Sequence, residues 1–406
     1  MRPRKTIDAD VCIVGAGIVG LAHAHEAVAR GLRVVLLERG DRAVGASVRN
    51  FGHCFFSAMG DGAALECALR TRERWLELGR RAGLTVLESG SLVVARHEDE
   101  LAVLEAIARD ERRGARVISA EKTAGLAPIP ADGLIGALHA RLDLRVDPRA
   151  AVAALASLLP DEDGTRIVWR APVHAVEPGL VESAGISVRA PVIIACPGSD
   201  FDTLPAELHP DRRGLTRCKL QMLRVASPHA RRFGPALLTG LSLLRYPGFS
   251  VQPGIDLVRE RLRSERPELL AAGIHVIVAQ LPDRDLILGD THEYGLTVWP
   301  FADEQLNDLV VAEACQLLGV ERLAVRERWL GVYPYAPGEP FMITAPLPGV
   351  RVVEVVSGVG MTTALGLAPL VLDEVLATVS RPRPHESGSR RAKRRPSAEA
   401  RPGCGS

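Results

Sequence analysis

The sequence predicts an α/β fold built on a Rossmann-type, dinucleotide-binding sheet, and three stretches predict it. "VCIVGAGIVGLAHAHEAVARGLRVVLLERG" joins an apolar strand to a G-x-G-x-x-G turn, a helix and a second strand that ends in an acid. "VIIACPG" in mid-chain reads as a buried strand closing on a turn of small residues. "GVRVVEVVSGVGMTTALGLAPLVLDEVLA" reads as a strand, a glycine-rich turn and an apolar helix. Strand–turn–helix units of this kind aim helix N-termini, with their unpaired N–H groups, at one edge of a parallel sheet, where phosphates bind.

The first unit is specific because of its context. A lone G-x-G-x-x-G is a weak signal, but this one lies between a strand and a helix, with Glu38 closing the next strand. Gly15 permits the tight turn, Gly17 lets the backbone approach a pyrophosphate, and Gly20 brings helix and strand together. Glu38 is placed to accept hydrogen bonds from a ribose diol, its charge would repel a 2′-phosphate, and Arg39 after it is expected among the cofactor contacts. The motif alone does not separate FAD from NAD. An NAD dehydrogenase usually continues with evenly spaced strands and helices. This chain instead breaks after Gly40 into "GASVRNFGHC" and an Arg- and Glu-rich helical stretch at 61–82. That break, the central C-x-G turn ending in Gly198 and the late G-x-G turn together point to FAD, whose length needs all three contact regions.

Composition narrows the class. The chain has 406 residues, 47% hydrophobic and 24% charged, as in an ordinary globular protein that can bury two domains. No apolar run spans a bilayer, the N-terminus lacks a signal-peptide core, and the cytoplasm is the expected compartment. Seven scattered cysteines without C-x-x-C give no zinc spacing and no disulfide framework, so no metal is expected. Residues 381–406 carry eight basic and two acidic residues, a net +6; with +1 overall, the remainder is −5, which argues against nucleic-acid binding by the body. The tail has no apolar period and reads as disordered.

With these motifs the chain resembles the FAD-dependent D-amino-acid-oxidase-like (glycine/sarcosine oxidase) oxidoreductases over residues 8–378. "ESGSLVVARHEDELAVLEAIARDERRGARVISAEKTAGLAPI" looks like that family's first substrate-domain segment, and "RVDPRAAVAALA" like the return to the cofactor domain. "ASVRNFG", "ILGDTHEYG" and "GVRVVEVVSGVGMTTA" look most like a branch associated with aminophosphonate catabolism. The resemblance implies an FAD-binding domain from 1–84, 143–205 and 325–380. Interleaved with it is an α+β substrate domain, on a mainly antiparallel sheet, from 85–142 and 206–324. Strand-like runs in "HVIVAQ", "DLILGD" and "LTVWP" suit that sheet, and "LQMLRV" pairs with them or is a piece of buried helix. Val173 joins the cofactor contacts that the resemblance implies.

The chemistry expected of such a chain is hydride transfer from an amine-bearing carbon to flavin N5, followed by imine hydrolysis, with oxygen or another acceptor taking the electrons. The turn of Gly358, Gly360, Met361 and Thr362 offers small residues and helix N–H groups to negative charge growing on the flavin. A free amine substrate would need no strong protein base. Many amino-acid-oxidising relatives have G-x-R-P near the end of the substrate domain, where the Arg forks a carboxylate. Here "RWLGVYPYAP" puts Tyr333 at that position and Tyr335 two further on, and a phenol offers one directed hydrogen bond in place of a charged fork. Arg49 is the replacement cation, for the substrate or for an ion pair at the surface or with the cofactor phosphate; Arg217 and Lys219 are further candidates. Ser47 and Asn50 are expected at the flavin, and His53 lines the pocket or is a satisfied half-buried histidine. Cys54 or His53 is open to a covalent flavin bond. His292 or Tyr294 touches substrate, or belongs with Asp290 and Glu293 to a capping network. Trp299 and Trp329 read as core.

These residues favour oxidation of a small anionic amine, and the branch resemblance implies an N-alkylated 2-aminoethylphosphonate giving phosphonoacetaldehyde as the specific form. A D-amino-acid, glycine or sarcosine oxidase is the alternative, and a non-catalytic FAD-binding subunit of a complex a third.

Overall fold

Val11–Val14, Val34–Leu37 and Val192–Ala195 are aliphatic, mostly β-branched runs buried on both faces, as central parallel strands require. The computed structural model describes residues 5–161, 165–209 and 214–379, so the basic tail at 381–406 lies outside the described residues. The three runs pair in parallel in a six-stranded sheet ordered Phe341–Thr344, Val350–Val355, Val192–Ala195, Val11–Val14, Val34–Leu37, Arg166–Val168. Only the edge strand Phe341–Thr344 runs antiparallel to its neighbour.

Helices Ile18–Ala29, Ala63–Ala82 and Gly360–Val379 cover one face, with Leu21, Trp75 and Leu365 in a shared core. The other face packs on a four-stranded sheet of Lys5–Asp8, Val173–Glu177, Leu180–Ser183 and Ile186–Arg189. Gly360–Val379 is long and apolar enough to cross a membrane by length and composition, yet 56% of that window is buried inside the protein.

Two close approaches set this geometry. A Cβ on Gly20 would stand 1.9 Å from the Gly15 carbonyl oxygen, so only glycine lets the first helix leave the first strand so tightly. A Cβ on Gly366 would stand 2.0 Å from the Cys67 carbonyl oxygen, where the last helix crosses Ala63–Ala82. Forcing side-chain volume into such a contact costs about 1–3 kcal/mol. Gly366→Val is therefore expected to lower the melting temperature by several degrees; an unchanged value would show that the crossing has slack.

The second sheet has nine strands and is mainly antiparallel. Thr216–Val225 lies between Leu286–Gly289 on one side and Val325–Tyr335 on the other, and also pairs with the short Glu293–Gly295. The path continues through Ile277–Gln280, Ala236–Leu238, Ser91–Ala95, Gly136–Ala140 and Ala115–Ser119. Helices Glu98–Ala108, Ile255–Glu265 and Glu304–Leu318 pack on it around Leu104, Val258 and Val310.

Three expectations differ from the observed fold. "LTVWP" is not a strand: the edge strand stops at Gly295, and residues 296–300 form bends and irregular backbone outside the sheet. Trp299, expected in the core, is 69% exposed on that loop, packed edge-on to Phe301. The backbone does not return to the six-stranded sheet at residue 325: Val325–Tyr335 belongs to the nine-stranded sheet, and the return begins at Phe341.

Candidate active site

A cavity of about 450 Å³ runs between the two sheets, from Glu38 and Val173 at one end to Arg245 and Tyr333 at the other. The first end is made of backbone. Gly15 has φ +102° and would clash with the Cys196 carbonyl if it carried a Cβ, so the first turn and the Cys196–Gly198 turn meet closely. Ser47 reaches from the "GASVRN" loop, and its Oγ accepts the Ile18 N–H at 2.9 Å, fixing the start of the first helix. Glu38 holds both edges of the turn: its Oε2 accepts the Ala16 N–H at 2.8 Å and its Oε1 accepts the Gly40 N–H at 2.9 Å. Each of its oxygens keeps a further lone pair for a diol. Arg39 lines the same end of the cavity, with its guanidinium in an ion pair with Asp200.

The middle is the loop and the glycine-rich turn. Asn50 lines the cavity but folds its own loop: its Nδ2 donates to the Ala46 and Ser47 carbonyls, and its Oδ1 accepts the Gly52 N–H. Gly358 sits at φ +76°, and a Cβ there would meet the Tyr333 ring at 2.9 Å. Trp75 Nε1 donates to the Met361 carbonyl and Thr362 Oγ1 accepts the Phe55 N–H, which anchors the turn to the helix behind it. Glu354, just before the turn, is 1% exposed and lines the cavity, and neither carboxylate oxygen has a hydrogen-bond partner among the described residues. Burial pushes its carboxyl up to about 8, against the pull of Arg217.

The far end gathers residues from distant parts of the sequence. Arg245 follows the short Gly240–Leu244 turn after strand Ala236–Leu238. Its Nη2 donates to the Tyr333 hydroxyl at 2.8 Å and its Nε to His292 Nε2 at 3.1 Å, while its Nη1 has no partner among the described residues. Because guanidinium only donates, His292 Nε2 must be the lone pair. Its Nδ1–H then donates to the Gly273 carbonyl at 2.9 Å. His292 is thus neutral, and burial, with Arg245 beside it, holds its pKa down to about 3. Beside it, His275 Nε2 lies 3.1 Å from Asp290 Oδ1, and His275 Nδ1 lies 3.2 Å from Ser242 Oγ.

His275, Asp290 and His292 present ligand-type atoms within 4.8 Å of one another. Arg245 donates into the very lone pair that His292 would give a metal, so this set is arranged for protons and anions.

The remaining candidates fall outside the far wall. Lys219 pairs with Glu293 at 2.6 Å, and Arg217 with Asp202 at 2.6 Å while stacking over Phe201. Tyr294 and Tyr335, expected at the substrate, pack on each other with ring planes tilted by 44° and centroids 4.4 Å apart, and do not line the cavity. Tyr335 closes the strand that carries Tyr333 and leans on Tyr294 of the short strand Glu293–Gly295. His53 lines the cavity, but burial and Arg145 hold it neutral; Cys54 is buried behind it. Arg49 lines the cavity, with its Nη1 on the Leu330 carbonyl and no carboxylate partner among the described residues. Trp329 is half-buried and donates to the Arg49 carbonyl.

Arg245 was not among the sequence candidates. Its signal was a lone cation inside "GLSLLRYPGFS", an otherwise uncharged stretch.

Comparison with known proteins bears on nearly the full length. The family model described as DAO, FAD dependent oxidoreductase, matches residues 10–374. The A subunit of the anaerobic glycerol-3-phosphate dehydrogenase of Escherichia coli is 32% identical over 157 residues, covering 38% of this chain and only 29% of that protein. Among solved structures, L-proline dehydrogenase from P. horikoshii superposes with a TM-score of 0.74 at 17% identity, over 92% of this chain and 94% of that one. Glycine oxidase from Geobacillus kaustophilus gives 0.71 at 18% identity, over 92% and 95%. These two likenesses are likenesses of fold.

Proposed function

Because the chain belongs to the DAO family of FAD-dependent oxidoreductases, we propose that it oxidises a small amine whose acid group is held by Arg245. FAD suits the residues present. The glycine cradle at Gly15, Gly17 and Gly20 leaves room for a pyrophosphate, Glu38 offers acceptors to a ribose, and the unpartnered Glu354 offers buried acceptors to cofactor hydroxyls. Val173, Gly198 and the Gly358–Thr362 turn line the same cavity. When bound, FAD supplies the two-electron acceptor for a C–H bond beside nitrogen.

The protein's own residues do the rest. Arg245 presents a fixed cation with a free Nη1, oriented by Tyr333 and by neutral His292. Phe51, Phe55 and Leu220 line the wall nearby and limit water around the reacting carbon. The helix beginning at Gly360 aims its N-terminus into the cavity, where it favours negative charge. The single observation that carries the reading is the Nη1 of Arg245, which lines the cavity and has no partner among the described residues. A guanidinium with a phenol beside it suits a phosphonate, with three acceptor oxygens, better than a carboxylate, and an N-alkylated 2-aminoethylphosphonate is the specific substrate we propose. The phosphate-bearing alcohol in the name of the E. coli relative supports an acid group of that kind. Six described cysteines are free, which supports a reducing compartment, the cytoplasm.

The test is anaerobic flavin bleaching by N-methyl-2-aminoethylphosphonate, sarcosine, an uncharged amine of similar size and glycerol 3-phosphate. The phosphonate should reduce the flavin fastest; fastest reduction by sarcosine would move the assignment to an amino-acid oxidase, and bleaching by the alcohol alone would end the amine reading. Arg49 stands partly in solvent, where a cation is worth less. Arg49→Ala is expected to leave FAD content unchanged and to lower kcat/KM for the phosphonate by no more than about tenfold, since an exposed charge contributes ~1 kcal/mol or less. A larger loss would make Arg49 the principal anion site.

A further inference from the structure

The Arg245 end of the cavity holds, beside its cation, an acid that binding of the substrate's acid group leaves unused. Asp290 is 4% exposed and lines the cavity, and among the described residues its Oδ1 has no well-aligned donor although His275 Nε2 lies 3.1 Å away. Backbone bonds tie the pair together: Asp290 N–H donates to the His275 carbonyl and His275 N–H to the Asp290 carbonyl. His275 is steadied from behind by Ser242. A buried carboxylate oxygen without a donor, facing a ligand cavity, lacks the cationic or N–H group that would stabilise its charge.

We propose that Asp290 is the residue that receives the substrate's ammonium group and accepts its proton, so that the site selects a zwitterion: acid group on Arg245, cationic nitrogen on Asp290. This rests on the anionic-amine reading and replaces the expectation that no protein base is needed. As the ammonium binds, the proton that Asp290 carries in the free protein leaves to solvent. In the step that follows, one N–H bond of the ammonium breaks and one O–H bond forms on the Asp290 carboxylate. The electron pair of the broken bond stays on nitrogen, and no atom changes oxidation state. The amine is then neutral, the state in which its α-carbon can give up hydride.

The surroundings favour that transfer. The groups facing Asp290 are Arg245 and Tyr246 after the Gly240–Leu244 turn, His275 and His292 on its flanks, and Cys218 and Tyr294 from the sheet. Arg245 is the one cation among them, since burial keeps both histidines neutral. Burial raises the Asp290 carboxyl to about 8, and Arg245 pulls it down. An anion arriving on Arg245 cancels that pull, so the substrate's own acid group makes Asp290 a stronger base as the ammonium arrives.

The test uses holoenzyme and two probes that cannot be oxidised at the position beside nitrogen. One is 2-amino-2-methylpropylphosphonate, with no hydrogen on the nitrogen-bearing carbon; the other is its carbon isostere 2,2-dimethylpropylphosphonate. Calorimetry in buffers of different ionisation enthalpy counts protons released on binding. At pH 7 Asp290 carries a proton in the free protein, and whichever partner keeps the shared proton, an ammonium expels one. The amine probe should release about one proton more than the isostere, fading as pH rises past about 8. In Asp290→Asn, with FAD content unchanged, the excess release should vanish and the amine's advantage over the isostere should fall by about tenfold or more. Equal proton release by the two probes on wild-type protein would overturn the assignment while leaving the anion site standing. Failure of both probes to bind would overturn the phosphonate reading, and this inference with it.

Discussion

Arg245→Met should lower kcat/KM for the anionic amine by roughly ten- to a hundredfold while sparing an uncharged amine of similar size. Methionine keeps much of the apolar stem and removes the charge. A charge-assisted hydrogen bond at such a site is worth about 1.5–3 kcal/mol, which sets that range. Nothing at the glycine cradle touches Arg245, so FAD content should hold. The contrast with Arg49→Ala is the informative part. Both cations line the cavity, but Arg245 is oriented by Tyr333 and His292, whereas Arg49 reaches only the Leu330 carbonyl. Tyr333→Phe, which removes one of those two restraints and leaves the charge, should fall between them. Equal losses for charged and uncharged amines would show that Arg245 shapes the pocket without binding the acid group.

Removing this cation should also move the acid beside it. Arg245 pulls the Asp290 carboxyl down, so in Arg245→Met the Asp290 pKa should rise above about 8. Proton release on binding the amine probe should then persist to higher pH than in wild type. An unchanged pH range would mean that the two groups do not sense each other across the cavity.

The backbone part of the site was legible in the sequence, because glycine positions encode conformation directly. Gly15, Gly20 and Gly358 each sit where a side chain would collide with a carbonyl or a ring, and a strand–turn–helix pattern says as much without coordinates. Glu38 was legible for a related reason: the length of the preceding strand sets where its last residue emerges. The far end was less so. Arg245, Asp290 and His275 come from different strand ends of the nine-stranded sheet, and their meeting depends on sheet order, to which local pattern is blind. Tyr333 drew notice only because it replaced an expected arginine. Arg217 and Lys219 looked equally suitable, and their carboxylate partners, Asp202 in the Gly198–Thr203 segment and Glu293 on the strand Glu293–Gly295, become visible only once those segments are placed against Thr216–Val225. Trp299 misled for the same reason: an aromatic in an apolar run reads as core, and only the end of strand pairing at Gly295 leaves it in solvent.

Gly17→Val should yield folded, colourless protein. The three glycines of the motif differ in what they tolerate, and that difference makes Gly17 the clean probe. A Cβ on Gly20 would overlap the Gly15 carbonyl at 1.9 Å, and one on Gly15 would meet the Cys196 carbonyl at 2.5 Å in a left-handed backbone, so both substitutions threaten the fold. A Cβ on Gly17 meets only Ser47 Oγ, at 3.2 Å, with φ −69°, which any residue adopts. The packing cost is small, and the branched side chain projects over the N-terminus of the first helix, where a pyrophosphate would take its N–H hydrogen bonds. Loss of that approach should remove FAD almost entirely, read as the ratio of flavin to protein absorbance. Its melting temperature should match that of wild-type protein stripped of FAD and lie below that of the holoenzyme, because a ligand that binds only the native state stabilises it by RT ln(1 + [L]/Kd). A variant that melts well below stripped wild type would assign Gly17 to folding. One that stays yellow would remove the pyrophosphate from this turn and, with it, the placement of FAD along the cavity.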